Sequence, residues 1–501
     1  MEVHFERKPI ACLKPLLRQV QSGEETQELR LTEDMPDVGR VIAGWGQLLL
    51  RGKEWRGDTV GCSAGVMCRV LYEPEDGSRL RTLECWMPFQ LRWNLDDGLR
   101  EGKIRLTCCL RGIDARSTSA RKIMVRCSYA ILAEICREET VSIPVPGQRP
   151  ADVHLLVNRY PLRILREAGE KSFHLEEELP SLAPELGEIV AYSLEPRVND
   201  VKVYGDKLSF RGTGILHLTY LNTEGKLISR DLEVPFSQFA GLDHNYEADA
   251  QGDVKMVVTA LDLEGNDQGK LLLKWSAVGQ YQVDERQILE LAEDAYSTEQ
   301  ELTLLWETAE LPVILEQKQI AVSVAQSLRM DAGEIADVIY WPDFPVSRRN
   351  DGVELELPGV FQAVWYDENG KLQGTQARTE EHWDAPCGDG CDFEASVVSC
   401  TSPRGNGGNG ITLNTEMTLQ TRCSKAGGIR LVAGCNPGQP LPERGRTSLV
   451  ISRSRGKGLW ELAKENLSTV EAIREANHLE EEPKESRMLL IPVRQGVPAE
   501  T

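Results

Sequence analysis

The amino-acid sequence predicts a mostly β protein in which three repeated antiparallel β-sandwich-like domains precede a small domain of strand–helix–helix–strand order. Three observations predict this fold class. Similar segments recur about every 147 residues, apolar and polar residues alternate with period two inside each copy, and residues 458–479 have helical spacing instead. The chain of 501 residues is long enough for about three or four domains.

The repeat is visible in short segments that keep their spacing along the chain. Residues 36–42, PDVGRVI, return 148 residues later as PELGEIV and, more weakly, as MDAGEIA at 330–336. Two glycines in each copy are separated by 38, 38 and 37 residues. These pairs are Gly39 and Gly77, Gly187 and Gly225, and Gly333 and Gly370. The predicted domains are 1–141, 152–290 and 300–436, followed by the small domain at 447–494.

Between the paired glycines, strict alternation of apolar and polar residues predicts a strand with one buried face. An acidic-Gly segment then ends each alternating stretch and predicts a hairpin turn with positive backbone angles. Further alternating stretches follow each turn, so each copy is predicted to be a mostly antiparallel sandwich. The first alternating stretches are 60–70, 208–218 and 353–363.

Changes in composition predict the connections between the domains. Residues 142–152 are rich in proline, residues 434–446 are rich in proline and glycine, and the acidic residues 284–301 are predicted to be helical. Within the domains, the strand after each acidic-Gly turn runs toward a proline, which has no N–H to donate to a neighbouring strand. We therefore expect ladder pairing to end at Pro88, Pro235 and Pro386.

The net charge of −21 limits the classes of partner. Nucleic-acid binding and direct adhesion to an anionic membrane both need clusters of Lys and Arg, so neither is expected. The sequence contains no run of about 18 apolar residues, so no transmembrane segment is predicted. The first 20 residues lack the apolar core of a signal peptide, and we expect the protein to remain in the cytoplasm.

Neither a catalytic site nor a metal site is predicted. The thirteen cysteines are odd in number, and without an export signal they are expected to be reduced. The segment CGDGC at 387–391 has a spacing that zinc ligands use, but no second pair follows at zinc-ribbon distance, so core or turn cysteines are favoured. The seven histidines are scattered, and no carboxylate pair suggests an acid and a base. We expect neither enzymatic activity nor a cofactor.

The C-terminal domain carries the helical signals. An apolar stripe at helical spacing predicts a first helix with its side chains in the core. This stripe consists of Leu459, Trp460, Leu462 and Ala463. Ser468 and Glu471 match a capping box at the start of a second helix that buries Ile473. Short apolar segments at 448–452 and 488–493 predict one strand before and one strand after the helices.

The three copies resemble the SPOCS domain, a β domain of spore coat and cortex morphogenesis proteins in endospore-forming bacteria. The resemblance rests on the Pro/Met-Asp/Glu-x-Gly-x-Ile/Val segment, the alternating strand, the Tyr before the acidic-Gly turn, and the MPF and VPF at 87–89 and 234–236. It covers most of residues 1–440. The third copy lacks this Pro-Phe and contains a glycine-rich insertion.

The C-terminal domain resembles a LysM domain, which has a βααβ fold. Matching segments include GLW at 458–460, TVE at 469–471 and LLIP at 489–492. The resemblance implies a groove for N-acetylglucosamine glycans, between the loop that enters the first helix and the loop that leaves the second. This LysM groove would consist of Gly456, Lys457, Gly458, Leu459, Asn477, His478 and Leu479.

The groove departs from the family pattern, because the usual Gly-Asp-Thr opening is GKG at 456–458. Two side chains that would hydrogen-bond are therefore missing, which shifts the expectation from glycan binding toward protein docking. Three SPOCS-like domains with a terminal LysM domain resemble the SipL/SpoVID-like class of spore morphogenetic proteins.

That resemblance implies a non-enzymatic scaffold in the mother-cell cytoplasm that docks a coat morphogenetic protein, a SpoIVA-like ATPase, at the forespore surface. The alternative is a peptidoglycan-binding protein that attaches to the cell wall or cortex through LysM. A third class, a hydrolase with its site in a β domain, has no residue to nominate. Edge strands of the β domains would also allow self-association.

Overall fold

The computed structural model describes most of the chain. Within the described residues the chain forms 23 strands and two short helices, so the protein is mostly β, as the sequence predicts. The described residues are 4–95, 101–180, 182, 185–265, 270–328, 334–349, 353–385, 391–406, 411–425, 428–441, 448–454, 456–479 and 488–493.

Six strands form the first unit, and they pair in two antiparallel sheets. The strands are β1 (Phe5–Arg30), β2 (Val38–Arg56), β3 (Thr59–Pro74), β4 (Arg81–Asn94), β5 (Lys103–Ser119) and β6 (Lys122–Pro146). β6 lies between β1 and β5, while β3 lies between β2 and β4. One apolar cluster takes side chains from both sheets, including Val66 of β3 and Val125 of β6. The two sheets therefore share a core.

The second unit has the same pairing order. Its strands are β7 (Val153–Leu179), β8 (Leu186–Asn222), β9 (Leu227–Tyr246), β10 (Gln251–Gly265) and β11 (Leu271–Ser297). β11 lies between β7 and β10, and β8 pairs with β9. The single strand β8 takes the place of β2 and β3 of the first unit. Gly205 lies inside β8 with a φ of 56°, and the corresponding Gly57, with a φ of 60°, lies between β2 and β3. Phe210 of β8 and Trp275 of β11 lie in one shared core.

The third unit divides the same arrangement into more strands. They are β12 (Gln300–Ala309), β13 (Val313–Leu328), β14 (Ile335–Pro342), β15 (Val346–Arg349), β16 (Val353–Tyr366), β17 (Leu372–Ala385), β18 (Cys391–Cys400), β19 (Arg404–Asn406), β20 (Ile411–Lys425) and β21 (Ile429–Pro440). β20 lies between β13 and β18, and β16 pairs with β14, β15 and β17. The pairing order of the first unit thus occurs three times.

The acidic-Gly turns connect the strands that the sequence predicts they connect. Gly77 lies between β3 and β4, Gly225 between β8 and β9, and Gly370 between β16 and β17, with φ of 70°, 83° and 73°. The side chains of Asn222 and Asp367 each accept backbone N–H bonds from residues of their own turn. These positive φ values confirm the predicted turns. Glycine suits the positions because it adopts positive φ without steric cost.

The two described prolines do not end the ladders, so that prediction is wrong. Pro88 of β4 lies opposite Gly65, Pro235 of β9 lies opposite Thr213, and pairing continues on both sides of each. Both prolines lie in strands at a sheet edge, where the missing N–H removes no bond to a second neighbour. Pro386 lies outside the described residues.

The acidic segment 284–301 is not helical, which corrects a second prediction. β11 continues through most of it, and β12 begins at its end. Leu289 and Leu291 of β11 are buried while Ile288 and Glu290 are exposed, which is the period of a strand. This stretch pairs with β7 along its length, so tertiary pairing overrides its helix propensity.

The first and last strands of each unit extend together as a two-stranded arm, and the three arms form what we call the stem. The arms are 5–15 with 136–146, 153–165 with 284–297, and 300–309 with 429–440. One apolar cluster takes Ile10 from the first arm, Ile164 from the second and Leu431 from the third, all of them buried. Much of the sequence that was predicted to connect separate domains therefore belongs to strands of one packed stem.

A second zone of contact, the junction, joins the units where β2, β8 and β14 meet. Its apolar cluster contains Ile42, Val190 and Ala336, one from each unit. Beside this cluster, the indole Nε1 of Trp45 donates a hydrogen bond to Asp337 Oδ2 at 2.7 Å. Asp337 is only 2% exposed, so its carboxylate depends on partners from the other units for hydrogen bonds.

His217 of β8 supplies the positive charge at the junction. Its Nε2 lies 2.8 Å from Asp337 Oδ1, and its Nδ1 lies 2.7 Å from Asp231 Oδ1. Burial alone would lower the pKa of His217, but the charges of Asp337 and Asp231 and the hydrogen bonds to them outweigh burial and raise it to about 10. His217 is therefore an imidazolium at neutral pH, and it bridges the second unit to the third.

A second group of charges joins the units beside the junction. Lys255 of the second unit lies 3.1 Å from Glu134 of the first, and Asp253 pairs with Arg105 across the same boundary. Arg18 of the first unit lies 3.5 Å from a carboxylate of the third. Burial would raise the pKa of Glu134, but the charges of Lys255, Arg105 and Arg18 hold it well below its usual range. The carboxylate therefore stays ionised although it is buried.

We predict that deprotonation of His217 lowers the free energy of unfolding as the pH rises from about 6.5 to about 10. The decrease should reach up to about 1.4 kcal/mol per pH unit. The raised pKa stabilises the folded protein fully below pH 6.5, and this stabilisation is lost as pH rises through the folded-state value. Urea unfolding midpoints across this range should depend less on pH in His217→Gln. The exposed His382→Gln is the control, and equal pH dependence in His217→Gln and the wild type would contradict the prediction.

Candidate partner-binding module

The C-terminal module, residues 448–493, consists of four short elements. They are β22 (Leu449–Arg453), α1 (Leu459–Asn466), α2 (Val470–Asn477) and β23 (Met488–Pro492). β22 and β23 pair antiparallel. Leu459 of α1, Ile473 of α2 and Leu489 of β23 are buried in one apolar cluster. The two helices therefore cover one face of the two-stranded sheet.

The second helix is capped by Thr469, so the predicted capping box at Ser468 is wrong. The Thr469 hydroxyl oxygen accepts a hydrogen bond from the Ala472 N–H at 3.0 Å. The Ser468 hydroxyl instead donates to the carbonyl of Pro492 in β23. Ser468 thus ties the turn between the helices to the sheet, and this contact depends on a residue that is distant in sequence.

The residues of the predicted LysM groove lie at the start of α1 and the end of α2. Gly456 turns the chain with a φ of 84°, and Gly458 is the N-cap of α1 without a side-chain hydrogen bond. The Lys457 ammonium forms an ion pair with Glu465 of α1. Leu459 is buried, and Leu479 packs against the same apolar cluster. The two chain segments therefore meet in the core of the module.

Asn477 and His478 have structural roles at the end of α2. The Asn477 Nδ2 donates to the Leu490 carbonyl at 2.6 Å, and its Oδ1 accepts from the Leu490 N–H at 2.8 Å. His478 is the C-cap, with a φ of 52°, a conformation that His adopts more readily than most residues. The Asn477 amide therefore fastens α2 to β23 with both of its polar atoms.

Two side chains of β11 hold the module against the end of the stem. The Tyr296 hydroxyl donates to the Ser468 carbonyl at 2.7 Å, and its ring meets the Trp460 ring edge-on at 4.9 Å between centroids. Asp294 accepts from the Trp460 Nε1 at 2.8 Å and forms an ion pair with Lys464 at 2.7 Å. The sequence predicts Trp460 in the module core but not its contacts with Asp294 and Tyr296, because their segment is predicted to be a connecting helix.

A cavity of about 560 Å³ lies among the three units beside the junction. Its lining includes Lys255, Asp253 and His217. Each of these charged groups pairs with a charge of opposite sign, and Lys255 and Asp253 take their partners from the neighbouring first unit. The pairing neutralises these side chains, so none of the three is left as a free acid or base in the cavity.

Side chains that could bind a metal ion are dispersed over the described residues. Among them, no group of three or more His, Cys, Asp or Glu side chains is placed to hold a metal ion. Nine of the twelve described cysteines are buried, while Cys387 of the CGDGC segment lies outside the described residues. No helix in the described part of the chain is both long and apolar enough to cross a membrane.

Comparison of the chain with family profiles, with characterised proteins and with solved structures gives no match. The resemblances to SPOCS and LysM domains therefore depend on the sequence motifs that carry them. The geometry of the module and of its seat on the stem is the second basis for inferring function.

We predict that Asn477→Ala loosens the attachment of β23. The substitution removes both hydrogen bonds to the Leu490 backbone, and each such bond contributes about 1 kcal/mol. Hydrogen exchange in a peptide covering 488–493 should accelerate by about tenfold or more. Asn466→Ala is the matched control, because the described bond of Asn466 reaches a carbonyl of its own helix. Unchanged exchange of β23 in Asn477→Ala would show that the two bonds contribute nothing.

Proposed function

We propose that this protein is a non-enzymatic scaffold in endospore coat assembly. The three units are repeats of one sandwich domain of the SPOCS type, and the C-terminal module is a LysM domain that docks a coat morphogenetic protein, a SpoIVA-like ATPase. The site of action is the forespore surface on the side of the mother-cell cytoplasm. The recurring strand order, the shared core of each unit and the order of elements in the module support the fold part of this proposal.

Protein docking is favoured over glycan binding because the Asn477 side chain is already hydrogen-bonded within the module. A glycan groove needs polar side chains that are free to satisfy sugar hydroxyls. Both polar atoms of the Asn477 amide bond to Leu490, and the Lys457 ammonium bonds to Glu465. A glycan would have to break these bonds before it gained equivalent ones, which lowers its affinity.

The attachment of the module to the stem supports a scaffolding role. Asp294 and Tyr296 belong to β11, which also forms part of the second unit's sheet. A partner held by the module is thereby fixed relative to the body of the protein. The stem and the junction join the three units by apolar clusters and ion pairs, which suits a platform that must keep its shape during assembly.

We predict that the full chain binds a purified SpoIVA-like ATPase and that a chain ending at residue 446 does not. Biolayer interferometry with the immobilised ATPase measures both proteins, and circular dichroism checks that the shortened chain retains its strand content. Equal binding by the shortened chain would place the docking surface outside the module.

The same two proteins test the glycan alternative by cosedimentation with peptidoglycan sacculi. We expect no module-dependent pelleting, since the Asn477 amide and the Lys457 ammonium already have partners. Pelleting of the full chain alone, reversed by N-acetylglucosamine oligomers and weakened in Asn477→Ala, would establish the peptidoglycan-binding alternative and overturn the scaffold proposal.

A further inference from the structure

The two-stranded sheet of the module has one covered face and one open face. Leu489 and Ile491 of β23 point into the helical layer and are buried. Alternate residues of both strands point the other way and are large, apolar and exposed. They are Leu449 at 46%, Ile451 at 62%, Met488 at 59% and Leu490 at 37% exposed. Four large apolar side chains within ten strand residues form what we call the open face.

The strand register makes these four side chains one continuous patch. Ile451 lies directly opposite Leu490, and Arg453 lies opposite Met488 at one end of the ladder. Side chains of directly opposite residues on one face are about 5 Å apart, so the aliphatic groups are neighbours. The contacts that seat the module on the stem come from the helical layer, through Trp460 and Ser468. Among the residues that the structure describes, none of the contacts that seat the module therefore covers the open face.

We infer that the open face binds an amphipathic α-helix of about three turns from the partner protein. This inference rests on the proposed docking function and assigns it a surface and a chemistry. Two strands of five residues make a strip about 17 Å long and about 10 Å wide. An α-helix is about 10 Å in diameter, and about 11 residues span 17 Å at 1.5 Å per residue.

The chemistry of the open face selects this occupant over three others. A second copy of this chain would bury far less than the roughly 800 Å² per partner of a stable dimer through so small a strip. A strand added at the edge of the sheet would extend the strip without covering the four side chains. A glycan needs polar groups or aromatic rings, whereas these four side chains are aliphatic or thioether. A helix with an apolar stripe covers the patch along its whole length.

Arg453 adds an electrostatic requirement to the partner helix. It is exposed at the end of β22, and it lies opposite Met488 in the ladder. A carboxylate, or the C-terminal end of a helix with its partial negative charge, is favoured beside a guanidinium. The partner segment is therefore expected to have aliphatic residues at i, i+3 or i+4, and i+7, with an acidic residue or its C-terminus at the Arg453 end.

The test uses the full-length protein and the purified coat morphogenetic ATPase of the proposed function as the probe. The double variant Ile451→Thr with Leu490→Thr makes the open face polar while keeping residues that suit a strand. We expect its affinity to fall by at least about tenfold, as for residues at the centre of an interface. The matched control is Ile288→Thr with Leu315→Thr, which changes exposed side chains of the same types outside the module and should bind within about twofold of the wild type.

Hydrogen exchange in a peptide covering 456–468 monitors whether each variant keeps the module seated on Tyr296. If the double variant unseats the module, the single variant Arg453→Glu replaces it, and we expect a loss of affinity that added salt reduces. A benzoylphenylalanine at position 451 then identifies the occupant. The inference expects it to cross-link a partner segment whose apolar residues have helical spacing.

Three results would overturn the inference. If the wild type binds and the open-face variants bind equally well, the docking surface lies elsewhere and the proposed function stands. If the cross-link reaches a second copy of this chain or a segment with period-two alternation, the occupant is not a helix. If the wild type does not bind the ATPase at all, the proposed function fails, and the inference fails with it.

Discussion

The burial of three two-stranded arms against one another is the constraint on which the rest of the protein depends. Each arm consists of the first and last strands of a unit, so no unit can separate without exposing side chains such as Ile10, Ile164 and Leu431. Each fully buried aliphatic side chain of this size contributes about 1.5–3 kcal/mol. The stem therefore converts three similar units into one body, and it also supplies Asp294 and Tyr296, which seat the C-terminal module.

The junction adds a geometric requirement that apolar burial does not impose. A buried ion pair contributes little net free energy, because desolvation offsets the attraction between its charges. Asp337, however, must meet the indole of Trp45 and the imidazolium of His217 at the same time. These three side chains belong to three different units, so only one relative arrangement of the units satisfies the carboxylate. The apolar clusters hold the units together, while the polar contacts fix their register.

Local patterns in the sequence predicted the features that depend on neighbouring residues. Period-two alternation identified the strands, and the acidic-Gly segments identified turns such as that at Gly225, because a positive φ selects glycine wherever it occurs. Helical spacing likewise identified α1 and α2.

The predictions from sequence were wrong where a residue distant in sequence determines the local structure. Residues 284–297 form a strand because β7 pairs with them, and Ser468 does not cap α2 because its hydroxyl is bonded to Pro492. The sequence also placed the seven groove residues at the start of α1 and the end of α2. Their ligand depends on which of their polar atoms are already bonded, and local sequence does not encode that.

The seat of the module bears directly on how it can act as a docking element. A module on a flexible linker samples many orientations, and binding must then offset the lost freedom. Here the Trp460 ring rests on Tyr296, and Lys464 is paired with Asp294 of the same strand. The module's helical layer is therefore fixed on β11, and the apolar strip on the opposite face of its sheet is held in one orientation relative to the three units. The module is already fixed on β11 in the free protein. Binding of a partner helix to the strip therefore costs the entropy of ordering the helix but not that of ordering the module. Under the proposed function, such a surface would hold a docked partner in one defined geometry relative to the three units, as a coat scaffold requires.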